Sequence, residues 1–566
     1  MSVEYIQDQA VTVFVNKVGP YYNPQETYHY YTLPVCAPDK IEHKSMTLGE
    51  ILDGDRMAFS DYIIKFKEDK AKTKLCTKHI GQKDLDKFKS AVEDLYYFEF
   101  VVDDIIFKGF IGHFEEGPIL PHQHNLYLWN HLHFIFSYDA DTQNHIVSAR
   151  AIASTEDPVN LNDLTAPTRI DFFYSVTWQA ANTRYEDRAK LQLDFFPKAK
   201  QIHWMSVINS TILVLLLVVV MVKTLYKNLR QDLTSYNVDR PDEIIEDYGW
   251  KLISGDIFRY PQHMMLLCAI LGSGSQFILL GLTLLFFESA GVLSQNHHGS
   301  VNALTILLYA FMSCLSGFIS SACYKKFGGD LWYWNIVLTF AIFFVPFFLI
   351  WSMINSVAWM FNSTQALPIS TILLLFLLWF IVGLPLTILG GICGKNMMST
   401  FQAPCRTKKF PREIPAQPWY NKSWFYMLVG GFLPFSAISI EIYYIYLTLW
   451  GRQYFALYGI TLLLFVILLL VAACISITLT YFQLSLEDYH WWWRSMYSVG
   501  SLSLFVLSYA LYFYYKTSHM HGFLQGLQFF GYTLIAAYIL FLMLATVSFI
   551  SSFALVYYMY SRLKFE

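Results

Sequence analysis

The pattern of apolar and polar positions changes near residue 200. Before that point, stretches rich in aromatic and β-branched residues occur at 10–15, 28–35, 59–66, 96–102, 126–136, 146–153 and 169–178, separated by Gly, Pro, Asn and Asp. Short runs bounded by turn formers read as strands, and seven of them predict a β-sandwich-like domain. One segment differs: Leu85, Phe88, Val92 and Leu95 recur at helical spacing with charges between them, which predicts a helix over 83–95 packed on a sheet.

Beyond residue 200 the apolar runs become long and uninterrupted. A helix needs about 20 apolar residues to cross a hydrocarbon core of roughly 30 Å. Nine segments qualify, at 204–225, 264–287, 301–323, 332–359, 367–393, 425–450, 454–481, 499–515 and 529–558. The expected architecture is an α+β membrane protein. It has a β-rich ectodomain at 1–203, a first transmembrane helix at 204–225, a loop at 226–262, an eight-helix domain at 263–558 and a tail at 559–566.

Charge sets the expected orientation, because short loops rich in Lys and Arg stay cytosolic. Lys227, Arg230, Arg240, Lys251 and Arg259 follow the first run, and Lys325 and Lys326 the third. Six more, from Lys395 to Lys422, follow the fifth; Arg494 follows the seventh, and Arg562 and Lys564 the last. The alternate loops hold little more than Arg452 and Lys516. The ectodomain is therefore expected in the lumen and the C-terminus in the cytosol. Lys198 and Lys200 run against the rule, which large translocated domains escape.

Composition narrows the function classes. Only 15% of residues are charged, against about 25% in soluble chains. The net charge of -3 gives no basic excess for nucleic acid. The N-terminus has neither a basic nor an apolar leader region, so a signal peptide is expected to have been removed. Of eight cysteines, Cys36 and Cys76 are the only two in the soluble part, and an oxidising lumen would pair them as a disulfide. No HExxH, GxSxG or Gly-rich phosphate loop is present, so no enzyme and no cofactor is expected. His122 and His124, and again His131 and His133, would share strand faces, but no cysteine accompanies them and no metal site is assigned. Asp103-Asp104 reads as a turn.

Several motifs, in order along the chain, resemble those of the nonaspanins, the transmembrane nine superfamily. They are VNKVGPYYNPQETY at 15–28, LGE at 48–50 with Asp53-Gly54, GWK at 249–251 and GDIFR at 255–259. Further along come APCR at 403–406, GGFLPF at 430–435 leading to Glu441, YFQL at 481–484 and EDYHWWWR at 487–494. In detail the motifs resemble those of the member implicated in autophagy. The resemblance implies residence in Golgi, endosomal or lysosomal membranes and assistance to client transmembrane proteins on the way to their destinations. It also implies that Lys564 and Glu566, in the terminal Lys-x-acidic pattern, bind coatomer.

Inside the membrane, Glu441 carries an ionisable group that costs roughly 2.5 kcal/mol or more to insert. It reads as a client contact, a proton-coupling group of a secondary transporter or channel, or a packing hydrogen bond. Gln276, directly after the small residues 272–275, reads as client contact or tight packing. The Trp491-Trp492-Trp493 run is expected as an interfacial belt, and Asn362-Ser363-Thr364 as a candidate glycosylation site.

Overall fold

The computed structural model describes residues 4–116, 124–140, 144–153, 158–185, 188, 204–236, 249–292, 299–451, 458–518, 520 and 522–563. His122, Lys564 and Glu566 lie outside the described residues.

The N-terminal part is built from β1 (Ala10–Val11), β2 (Phe14–Pro20), β3 (Tyr28–His29), β4 (Ala58–Phe59), β5 (Ile64–Lys65), β6 (Lys70–Ile80) and β7 (Tyr96–Val102). They are followed by β8 (Ile105–Phe110), β9 (Gly112–Glu116), β10 (His124–Leu128), β11 (His131–Asp139), β12 (Ile146–Ala153), β13 (Val159–Asn160) and β14 (Thr168–Ala181). Two larger sheets run β3-β2-β7-β8, with β4 also on β2, and β12-β11-β14-β6. All pairs in them are antiparallel except β11 with β14. Alternation along β8 and the inward side of β11 places Phe107 and Phe134 between the layers, where Phe100 and Phe134 stack at 6.4 Å. Helix α1 (Leu48–Leu52) starts with a Thr47–Glu50 capping box, and α2 (Gln82–Glu93) turns Leu85, Phe88 and Val92 inward.

Several strand expectations need correction. The stretch at 28–35 is a strand for two residues only and then a 3-10 turn at Tyr30–Thr32. The stretch at 126–136 is two strands, split at Trp129-Asn130. β6 was not expected, because its sequence KAKTKLCTKHI carries four lysines and lacks an apolar run. Asp103 and Asp104 both have positive φ, which fits the two-residue hairpin between β7 and β8.

The C-terminal part holds α3 (Trp204–Tyr236), α4 (Met264–Ser289), α5 (Ser300–Lys326), α6 (Trp332–Met360), α7 (Ile369–Met397), α8 (Ser423–Trp450), α9 (Tyr458–Ser485), α10 (Trp491–Lys516) and α11 (Phe523–Ser561). Among the described residues, α4 to α11 are eight helices long and apolar enough to cross a membrane, and α3 carries the first apolar run over 33 residues. α4 and α11 sit centrally, whereas α3 lies at the side against α9. Helices α5 and α7 touch backbone to backbone: a Cβ on Gly390 would fall 1.9 Å from the Cys314 carbonyl oxygen, and one on Gly317 2.0 Å from that of Thr387. In α7, Pro385 has no N–H to offer the carbonyl four residues back, and a π-helical turn at Trp379–Gly383 precedes it.

Helix α10 begins at Trp491, eight residues before the expected 499. The interfacial belt expected there is also corrected. Trp491 and Trp492 are buried against Phe549 and Phe553 of α11, because α10 turns these rings into the bundle rather than along its rim.

Candidate functional site

The ectodomain is seated on one end of the helical bundle. The turn after β2 presents Glu26 and Thr27, and the loop between α6 and α7 rises to meet them. Thr364 N–H donates to the Thr27 carbonyl at 2.9 Å, as does the Ser363 hydroxyl at 2.9 Å, while the two threonine hydroxyls lie 2.6 Å apart. Both Thr27 and Thr364 are buried. The amide of Gln525, at the start of α11, donates to the Glu26 carboxylate. At the start of α5, Gly299 adopts φ +68° and its carbonyl would lie 2.4 Å from a Cβ on Gly49, so only glycine lets α1 approach this closely.

Behind this junction lies a charged core. Asn16 donates to Asp55 at 2.8 Å and to Glu99 at 2.9 Å, and its own oxygen accepts the Arg56 N–H at 2.8 Å. Lys17 pairs with Asp55 at 2.9 Å and Glu99 at 3.7 Å, and Lys108 reaches Glu99 at 3.1 Å. Burial opposes the Lys17 charge, but Glu99, Asp55 and Asp53 outweigh it and raise its pKa. Arg56 then links this core to the helices by donating to the Ala366 carbonyl at 2.7 Å. Much of the 15–28 and 48–54 motifs thus forms the seat of the ectodomain.

The opposite end of the bundle is tied by the other motifs. Asp232 at the end of α3 accepts from Tyr481 at 2.6 Å and Trp250 at 3.2 Å, and the buried Tyr560 donates to the Trp250 carbonyl at 2.5 Å. Asp256 pairs with Arg259 at 2.7 Å, and Asp488 with Arg494 at 2.7 Å. Trp491 donates to the Ile257 carbonyl at 3.1 Å and Trp493 to that of Gln262 at 2.9 Å. These contacts lock the 249–263 and 487–494 segments to one another. Helix α11 reaches Ser561, with Met559 and Tyr560 fully buried and Leu563 also buried. Of the tail expected at 559–566, Met559, Tyr560 and Leu563 are thus packed on the bundle, whereas Ser561 and Arg562 are exposed.

Within the helices, Glu441 is 8% exposed, one turn before Tyr444 and seven residues after Pro434. Gln276 is also buried and donates its amide to the Tyr309 carbonyl at 2.8 Å, which ties α4 to α5. Asn362 is exposed with φ +52°, whereas the Ser363 and Thr364 hydroxyls beside it are taken up by Thr27. Cys36 and Cys76 are joined as a disulfide, Cα–Cα 6.0 Å. His131 and His133 share a face and both lie within hydrogen-bond distance of the Ser175 hydroxyl, at 2.9 and 2.7 Å. Among the described residues no group of three or more His, Cys, Asp or Glu could hold a metal.

Sequence reasoning placed Asn16, Lys17 and Glu26 in a motif without a role, and missed Arg56, Glu99 and Asp232. A charged residue next to apolar strand positions, as at Glu99 in YYFEFVV, was the available signal.

The model of the Endomembrane protein 70 family matches residues 27–523. The chain is 49% identical to Transmembrane 9 superfamily member 1 of Mus musculus, covering 99% of this chain and 94% of that protein. It is 40% identical to Transmembrane 9 superfamily member 4 of Arabidopsis thaliana, over 98% and 94%, and 40% identical to the Putative phagocytic receptor 1b of Dictyostelium discoideum, over 99% and 94%. No solved structure matches. With a family model over most of its length and relatives of this identity end to end, the chain belongs to the Endomembrane protein 70, or transmembrane nine, family of multi-pass membrane proteins.

Proposed function

We propose that the chain sorts and localises other membrane proteins in Golgi and endolysosomal membranes, with its ectodomain luminal and its C-terminus cytosolic. A link to autophagy is part of this reading, as the resemblance to the autophagy-associated member implies. The observation that carries it is the seat of the ectodomain on the helix ends through Thr27–Thr364, Arg56–Ala366 and Glu26–Gln525. A β-rich domain held against a bundle can engage the soluble and transmembrane parts of one client together. Helices α6 and α7 present a broad apolar face, including Leu349, Met353, Leu373, Leu377 and Ile381, beside which a client helix or lipid can lie. Glu441 is the candidate polar contact for a client, while Gln276 holds α4 to α5.

Orientation is supported by charge. Arg259, Lys325, Lys326, Lys395, Arg412, Arg494 and Arg562 all stand at the bundle end opposite the ectodomain. Coatomer would read Lys564 and Glu566 there. Changing Lys564 to Ala is expected to move the protein from the Golgi to later compartments at unchanged synthesis, and an unchanged Golgi distribution would remove the tail from the account.

A buried carboxylate on a helix that contains Pro434 also fits a secondary transporter or channel. Glu441→Gln separates the two readings. Weaker client association at normal yield supports sorting; loss of a solute flux in liposomes supports transport.

A further inference from the structure

A cavity of about 270 Å³ opens in the ectodomain beside the charged core. Asn16 and Arg56 line its buried side, His29 and Tyr31 its half-buried wall, and Thr32 and His43 its exposed rim. We infer that this cavity is an oxyanion site, taking a small organic acid or a phosphate-bearing headgroup through Arg56, His29 and His43.

Three observations carry the assignment. First, the lining contains Arg56 and two histidines but neither Asp nor Glu among the described residues. Second, Arg56 is 8% exposed, and its described hydrogen bonds all go to carbonyl oxygens: Nη1 to Ile51 and Asp55, Nη2 to Ala366. A guanidinium has five donors, so two remain, and a carboxylate or phosphate is the acceptor whose geometry suits its fork. Third, the His29 and His43 rings stand 6.1 Å apart beside Arg56, so two imidazoles and a guanidinium share one space that an anion can occupy.

The other charges nearby have partners, and the buried Asp55 carboxylate, paired with Lys17, also acts on Arg56. Lys17, the cross-strand partner of His29, pairs with Asp55 and Glu99, and Glu42 pairs with Lys40 at 2.9 Å. The Tyr31 hydroxyl donates to the Phe59 carbonyl and the Thr32 hydroxyl to that of His29. Tyr30, also in the lining, is buried. Burial first, then His43 and Arg56, pull His29 down to about 4, so a bound anion should draw a proton onto it. The volume lies just under the lower end of small-ligand sites, roughly 300–1,000 Å³.

The test uses the full chain purified in zwitterionic detergent, titrated calorimetrically with citrate and with inorganic phosphate at pH 7 and pH 5. Saturable binding of either probe, roughly tenfold tighter at pH 5 with proton uptake, is expected. His43→Ala, an exposed position, should weaken it about tenfold, and His29→Gln should abolish the proton uptake. If neither soluble probe binds but phosphatidic acid in nanodiscs does so with the same His43 dependence, the oxyanion comes from a lipid headgroup and the site stands. No binding by any of the three at pH 5, or binding indifferent to both histidine variants in proteins of unchanged melting temperature, overturns the assignment.

Discussion

The hydroxyls of Thr27 and Thr364 lie 2.6 Å apart although 337 residues separate them in the chain. The first belongs to the ectodomain and the second to the loop between α6 and α7, so this buried pair reports whether the two parts are engaged. Thr27→Val and Thr364→Val should each destabilise the junction by about 1 kcal/mol, because each leaves the other hydroxyl without this partner. The double variant should cost less than the sum, with a coupling of about 0.5–1.5 kcal/mol. Limited proteolysis between the ectodomain and α3 measures it; additive effects would mean the pair does not act together.

Asp55→Ala should be far more damaging than a surface carboxylate change. It strips Lys17 of its 2.9 Å partner and Asn16 of an acceptor within a buried network. Removing one member of a buried pair costs about 3–5 kcal/mol. Thermal unfolding in detergent checks this, with Glu68→Ala, whose Lys65 partner is half exposed, as the mild comparison.

His29 predicts the direction of pH dependence. Its folded pKa of about 4 lies below the usual 6.5, mainly through burial. Between these values the unfolded chain holds the proton and the folded chain does not, so stability falls as pH drops from 6.5 towards 4. The limit is roughly 3 kcal/mol. Melting temperatures at pH 7 and pH 5 measure the slope in anion-free buffer, and His29→Gln should flatten it.

The Cys36–Cys76 bridge closes a loop spanning 40 residues, which the chain-entropy relation values at roughly 4 kcal/mol. Both thiols should resist alkylation without reductant while the protein is native, and intact mass should show it. Cys36→Ser with Cys76→Ser should lower the ectodomain's melting temperature without affecting α4 to α11. Labelling of both residues in unreduced protein would contradict the pairing.

Legibility followed the physics of each region. The long helices were readable because a run such as 264–287 has to be apolar throughout to meet lipid. A lysine-rich strand such as β6 was not, since all of its positions but Ile80 are exposed or half-buried and it has no apolar run to read. The Trp491-Trp492 pair was misjudged because an indole suits both a headgroup layer and a bundle interior, and only the neighbours Phe549 and Phe553 decide. The motif at 15–28 was visible as a pattern, but its work is done across the fold: Asn16 meets Asp55 and Glu99, and Thr27 meets Thr364. Residue spacing carries no trace of contacts over 300 positions.

The central claim is that the chain handles other membrane proteins from both sides of the bilayer. Parallel proximity labelling, with one enzyme fused before the ectodomain and one inserted between residues 237 and 248, tests it most directly. The account predicts that both positions capture overlapping sets of membrane proteins, with coat components labelled only from the second, and that Glu441→Gln thins the shared set at normal protein yield. Labelling that recovers no membrane proteins above an unrelated multi-pass control, together with a solute flux abolished by Glu441→Gln in liposomes, would contradict sorting and leave transport in its place.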